Sequence, residues 1–148
     1  MIDKRELLDL LPQKKPFLFV DEILEVNDKK IVGKYRFRPD EFYYQGHFPN
    51  NPITPGVILL ESMTQVGLVA LGMYLISLNE PKDAPSNFLC FFSDGIVEFL
   101  KPVFPDEEVT IYAEKIFWRQ KKLKSKVEMY RGDTLVASSI VSGMQVEQ

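Results

Sequence analysis

His47 is the only histidine in a chain of 148 residues, and it lies in the stretch 44–57, YQGHFPNNPITPGV, with Pro49, Pro52 and Pro55 close behind it. An imidazole is the side chain best matched to proton transfer near neutral pH. Glu61 is the one charged residue in the apolar run 57–78, VILLESMTQVGLVALGMYLISL. A carboxylate in apolar surroundings has its neutral form favoured, so it can hold a proton and donate it. A pair of this kind can take a proton from one carbon and protonate a leaving group on the next. Between them, Thr54 reads as a helix N-cap and Pro55 as the first helical residue, where a missing N–H costs nothing. Gly56 and Val57 then carry orphan amides at the positive end of the helix dipole. Gly56 also lets a ligand approach the backbone. A thioester carbonyl placed there would be polarised as in an oxyanion hole. Base, acid and carbonyl site thus fall within residues 47–61. Plainer roles compete on the residues alone: His47 as a hydrogen-bonded loop residue, Glu61 as a structural carboxylate bonded to an amide, and Gly46 with the prolines as turn formers.

The elements that must position these groups are legible in outline. Leucines 7, 8, 10 and 11 before Pro12 predict a short amphipathic helix. Residues 17–26 and 30–37 read as two strands joined at Asn27-Asp28. Residues 57–78 form the strongest helical signal. Their length would allow a membrane span, but Glu61, Ser62, Thr64 and Gln65 would then sit at membrane depth, and no basic flank immediately precedes the run. A helix apolar almost all round is also what a globular core contains, and burial is the expectation. Strands follow at 88–100, with a bend at Asp94-Gly95, then at 109–119, 123–130 and 134–143, the last two joined at residues 131–133. About six strands and one long buried helix predict an α+β domain, 1–148, with an antiparallel sheet wrapped round the helix.

Composition bounds the function. Hydrophobic content is 45%, charged content 26% and net charge -3, which fits a globular chain and argues against nucleic acid as the main partner. Cys90, the single cysteine, reads as a buried thiol and gives no sign of an oxidising compartment. The first residues, MIDKRELLDLLP, alternate charge with leucine and lack the apolar core of a signal peptide, so a cytoplasmic location is expected. One His and one Cys make no zinc cluster of usual spacing, and neither a glycine-rich phosphate loop nor a G-x-S-x-G elbow is present.

The segment QGHFPNNPITPGVILLESMTQ resembles the active-site pattern GHFPxxPxxPGVxxxExxxQ of the FabZ-type 3-hydroxyacyl-acyl-carrier-protein dehydratases, which have the hot-dog fold. Upstream, LPQKKPFLFVDEI is similar to that family's LPHRxPFLxVDRV, and downstream VEFLKPVFPDEEV is similar to its KFxxPVxPGD. The matches fall in order over most of the chain. The resemblance implies a homodimer with shared active sites, one subunit's histidine meeting the other's carboxylate, with a hexamer as the larger assembly. It implies His47 as the base for the C2 proton, Glu61 as the acid for the C3 hydroxyl, and Gly56 as amide donor to the thioester carbonyl. Phe48, Thr54, Val57 and Gln65 complete the expected substrate contacts, Gln65 sharing a helix face with Glu61. No metal or organic cofactor is implied, because the substrate carries its own phosphopantetheine. The partner is an acyl carrier protein. Lys14, Lys15 and Lys101, or the run Arg119, Lys121, Lys122, Lys124 and Lys126, are candidates for docking it, against a plain reading as a solvated hairpin. Glu61 separates the chain from dehydratase-isomerases, which usually carry Asp there. A hot-dog acyl thioesterase and a non-catalytic acyl-thioester-binding subunit are the alternatives. Gln13, Asp21-Glu22, Asn50 and Thr54 depart from the family pattern. These departures leave the catalytic pair intact and bear on chain length and carrier choice.

Overall fold

The computed structural model describes residues 2–81 and 84–146. In chain order the elements are α1 (Lys4–Asp9), β1 (Glu22–Val26), β2 (Lys30–Arg36), a 3-10 turn (Phe42–Gln45), α2 (Gly56–Asn79), β3 (Leu89–Phe99), β4 (Glu108–Arg119), β5 (Lys122–Arg131) and β6 (Thr134–Val146). The strands form one antiparallel sheet in the order β1-β2-β4-β5-β6-β3. Alternation along β5 shows how the sheet makes a core: Leu123, Ser125, Val127 and Met129 are buried while Lys122, Lys124, Lys126 and Glu128 face outward.

α2 is the element this sheet wraps. Its mean hydropathy is 1.6 over the most apolar window, and that window is 78% buried within the chain, so the expected burial is what the structure shows. Leu59, Met63, Val66, Leu68, Leu71 and Met73 are nearly or wholly inaccessible. Each such side chain removed from water stabilises the fold by about 1.5–3 kcal/mol. The middle of α2, Gln65–Ala70, widens into a π-helix. There the sheet presses closest: a Cβ on Gly67 would lie 2.5 Å from Val127 Cγ2 and 3.2 Å from Ala113 Cβ. The Ser125 hydroxyl donates to the Gly67 carbonyl at 2.7 Å.

Three expectations need correction. The first strand starts at Glu22, not at residue 17. Residues 17 and 19 give their backbone groups to α2 side chains instead of a neighbouring strand: Gln65 Nε2 donates to the Phe17 carbonyl, and the Phe19 amide donates to Gln65 Oε1. Ser62 Oγ donates to the Phe19 carbonyl. Second, Thr54 is not the N-cap. Pro55 holds that place with extended ψ 137, and α2 begins at Gly56. The Thr54 hydroxyl is turned inward to Tyr44. Third, Cys90 is half-buried rather than fully buried. The bend foreseen at Asp94-Gly95 is present as a register shift between Phe92 and Asp94.

Candidate active site

The loop before α2 is built from backbone bonds that fold it onto itself. Phe48 and Asn51 exchange N–H···O=C bonds at 3.1 and 2.9 Å, and the Ile53 amide donates to the His47 carbonyl at 2.9 Å. Asn50 takes the left-handed conformation at φ 61, which Asn tolerates better than most side chains. The loop is anchored from outside by the KPV segment: the Thr54 amide donates to the Val103 carbonyl at 2.9 Å.

Within this frame His47 Nδ1 lies 2.8 Å from the Ile53 carbonyl oxygen. A carbonyl can only accept, so Nδ1 carries a proton, and in the neutral ring Nε2 then holds the lone pair. The imidazole stacks on Phe48 with centroids 4.1 Å apart. His47, Ile53, Thr54, Gly56, Leu59, Phe99, Leu100, Lys101 and Pro102 line one cleft of about 340 Å3. Beneath it, the amides of Ile58 and Leu59 both go to the Pro55 carbonyl. Gly56 and Val57 are therefore the first donors with no acceptor inside the helix. A Cβ at Gly56 would stand 2.9 Å from the Phe99 ring, so any larger residue would have to displace that ring. Val57 and Phe48 are exposed at 72% and 49%.

Glu61 has a different environment. It does not line the His47 cleft. Gln65, fully buried, donates through Nε2 to Glu61 Oε1 at 3.0 Å, and Thr64 Oγ1 lies 3.4 Å from Oε2. The Phe19 amide bond to Gln65 Oε1 fixes which end of that amide faces Glu61. Burial raises the Glu61 carboxyl pKa, and the bonds from Gln65 and Thr64 offset part of that rise. Burial also pushes the Cys90 thiol up to about 12, with the Glu61 charge adding to the effect.

Of the residues expected from sequence, the structure gathers His47, Thr54 and Gly56 at one cleft and Glu61 with Gln65 at another place. Sequence reasoning missed Ile53, Val103, Phe99 and Tyr44. The KPV match held a signal for Val103, but Ile53 acts through its carbonyl, which no residue type reveals. The basic candidates divide too. Lys101 stands exposed at the rim of the His47 cleft. Lys122, Lys124 and Lys126 share the outer face of β5, where Lys122 meets Asp94 at 3.6 Å and Lys126 meets Glu128 at 4.0 Å. Among the described residues no group of three or more His, Cys, Asp or Glu could hold a metal ion.

A six-stranded antiparallel sheet round one long helix, with a histidine loop feeding the helix N-terminus, defines a hot-dog domain. The chain belongs to the FabA-like domain family, whose model matches residues 11–144. It is 39% identical over 121 residues to the 3-hydroxyacyl-[acyl-carrier-protein] dehydratase FabZ of Geotalea uraniireducens, covering 80% of this chain and 79% of that protein. With the FabZ of Pelotomaculum thermopropionicum it shares 35% over 145 residues, 96% and 94% of the two chains. Among solved structures it is similar to the dehydratase heterocomplex ApeI:P of Xenorhabdus doucetiae, with TM-score 0.77, 15% identity and coverage of 100% and 94%. A thioesterase of Haemophilus influenzae follows at TM-score 0.71, 14% identity and coverage of 99% and 92%. These two likenesses concern the fold.

Proposed function

We propose that the protein is a cytoplasmic dehydratase that converts (3R)-3-hydroxyacyl-carrier-protein thioesters to trans-2-enoyl thioesters and water, in fatty acid or related polyene biosynthesis. The observation that carries this reading is the 2.8 Å contact of His47 Nδ1 with the Ile53 carbonyl: in the neutral ring it puts the proton on Nδ1 and leaves Nε2 as the base, in the cleft that Gly56 also lines. Nε2 takes the C2 proton. Charge then develops on the thioester oxygen, which the Gly56 amide stabilises at the positive end of α2. The C3–O bond breaks as Glu61 gives its proton to the hydroxyl, which leaves as water, and the electrons of the C2–H bond become the new C2–C3 π bond. Imidazolium and carboxylate are left, and proton return from His47 to Glu61 resets the site. A raised Glu61 pKa suits this role, because more of the carboxyl is protonated near neutral pH. No cofactor enters these steps.

The proposal places base and acid on different subunits. β3 is an edge strand of 11 residues, and among the described residues no strand pairs with its outer side. It exposes Phe91, Phe92, Ile96 and Phe99 at 61%, 40%, 80% and 45%. A long apolar edge of this kind is what a sheet covers by pairing with another. Antiparallel pairing of two β3 edges about a two-fold axis sets the Phe99 end of one strand beside the Cys90 end of the other. Phe99 lines the His47 cleft, and Cys90 stands with Leu68 of α2, the helix that carries Glu61, beside Gly143. Two-fold pairing therefore carries each His47 toward the other subunit's Glu61. Lys101 and the β5 lysines offer an acidic carrier protein a landing surface.

Incubating the protein with 3-hydroxyacyl and enoyl carrier thioesters under mass detection tests the reading. Loss or gain of one water at the acyl group is the expected result. Release of free acid would assign a thioesterase, and tight binding without either product would assign a binding subunit.

A further inference from the structure

We propose that Thr54 and Tyr44 form a positioning pair that holds the Ile53–Thr54 peptide in the orientation the base requires. The inference deepens the catalytic reading above. The Ile53 carbonyl that accepts from His47 Nδ1 and the Thr54 amide that donates to Val103 are the two ends of one planar peptide unit. In a trans unit these groups point in opposite directions, so pinning the N–H to Val103 aims the C=O at the imidazole. A single bond at the N–H leaves the plane free to rock about that axis. The Thr54 side chain removes this freedom at the adjoining Cα: its hydroxyl meets the Tyr44 hydroxyl at 2.6 Å, with Thr54 and Tyr44 exposed by only 3% and 6%. Tyr44 is itself held, its amide bonded to the Glu41 carbonyl and its ring set edge-on against Tyr43 at 4.6 Å. Burial raises the Tyr44 pKa, so the phenol stays protonated. Next in the chain, Pro55 receives the Ile58 and Leu59 amides. The same pair thus steadies the start of α2, from which Gly56 donates. Neither hydroxyl touches the imidazole, so both act through Ile53 and Pro55.

The single histidine gives this proposal a direct readout, because 15N NMR of the ring reports one residue. In the unaltered protein the neutral imidazole is expected as the Nδ1–H tautomer. Thr54→Val is isosteric and removes the hydroxyl; it should shift the ring toward a mixture of tautomers and lower kcat roughly tenfold with KM little changed. Thr54→Ser keeps the hydroxyl and should restore both. Thr54→Val also takes from the buried Tyr44 hydroxyl its Thr54 partner, which costs stability by itself. The double variant Tyr44→Phe/Thr54→Val removes that cost, so its Tm should recover while tautomer and kcat stay altered. Recovery of all three together, or a Thr54→Val protein with reduced Tm but native tautomer and kcat, would overturn the positioning role. The tautomer is read without substrate, so it stands even if the carrier thioesters are not turned over.

Discussion

The two ends of the candidate site are built by opposite means. His47 sits on a half-exposed loop and is oriented by main-chain groups: the Ile53 carbonyl, the return bond from the Ile53 amide, and the Val103 carbonyl behind Thr54. Glu61 sits on a helix packed in the core and is oriented by side chains, Gln65 above all, which in turn are fixed by the backbone of residues 17 and 19. A base must meet substrate and solvent, so its restraint comes from groups that survive exposure. An acid that must hold a proton needs burial, and every polar neighbour it has there must itself be satisfied. The loop therefore depends on its conformation, and the helix on its side-chain inventory.

The largest effects should come from removing the groups themselves. His47→Ala is expected to lower kcat by about 10²–10⁴-fold with the fold intact, measured by turnover and circular dichroism. Glu61→Gln should lose activity on a similar scale yet raise Tm near neutral pH. The sign follows from linkage: the folded carboxyl has a raised pKa, so it destabilises the fold increasingly as pH climbs above the unfolded value, and Gln carries no charge to bury. Activity of the unaltered protein should likewise fall as pH rises through the raised Glu61 pKa. A Glu61→Gln variant less stable at pH 7 than at pH 4, relative to the parent, would contradict the helix half of the comparison.

Gln65→Leu comes next. It leaves the Phe19 amide and the Phe17 carbonyl without their side-chain partner, and urea unfolding should show a loss of about 2–5 kcal/mol. Gly67→Ala drives a methyl against Val127 Cγ2 and should cost about 1–3 kcal/mol, with Val127→Ala in the same chain returning part of it. The smallest effect belongs to the turn at Asn50. Asn50→Ala places alanine at φ 61 and should cost about 1–2 kcal/mol, while Asn50→Gly should be nearly neutral. Equal costs for the two Asn50 variants would mean that the side chain, not the backbone conformation, holds the turn.

These contrasts also explain what the sequence could disclose. Patterning and composition found α2, β2–β6 and the sheet-wrapped architecture: α2 has almost no exposed face, β4–β6 bury alternate residues, and β3 is rich in phenylalanine and β-branched residues although its side chains stay largely exposed. They misread residues 17–21 as strand because FLFVD has the composition of one, whereas both backbone groups of Phe19 are taken by two α2 side chains more than forty positions away. They also misplaced the cap, because Thr54 beside Pro55 satisfies the local rule while Tyr44 offers its hydroxyl a buried partner. The π-helix at Gln65–Ala70 leaves no pattern in residue types, since it answers to the approach of β4 and β5 at Gly67. Within the site, the acid–base side chains His47 and Glu61 were legible, while Tyr44 and Phe99 gave no signal of their place there. Ile53 and Val103, which contribute only main-chain groups, were not legible either.

The central claim is that each site joins His47 of one subunit to Glu61 of another, and subunit mixing tests it most directly. His47→Ala and Glu61→Ala proteins, each inactive alone, would be unfolded together, refolded and assayed on a 3-hydroxyacyl thioester. In a two-fold dimer with shared sites, every mixed pair keeps one intact site, so random mixing should restore about a quarter of wild-type activity. Activity no higher than the sum of the two separate variants, in a sample shown by mass to contain mixed dimers, would place both groups in one chain and contradict the account.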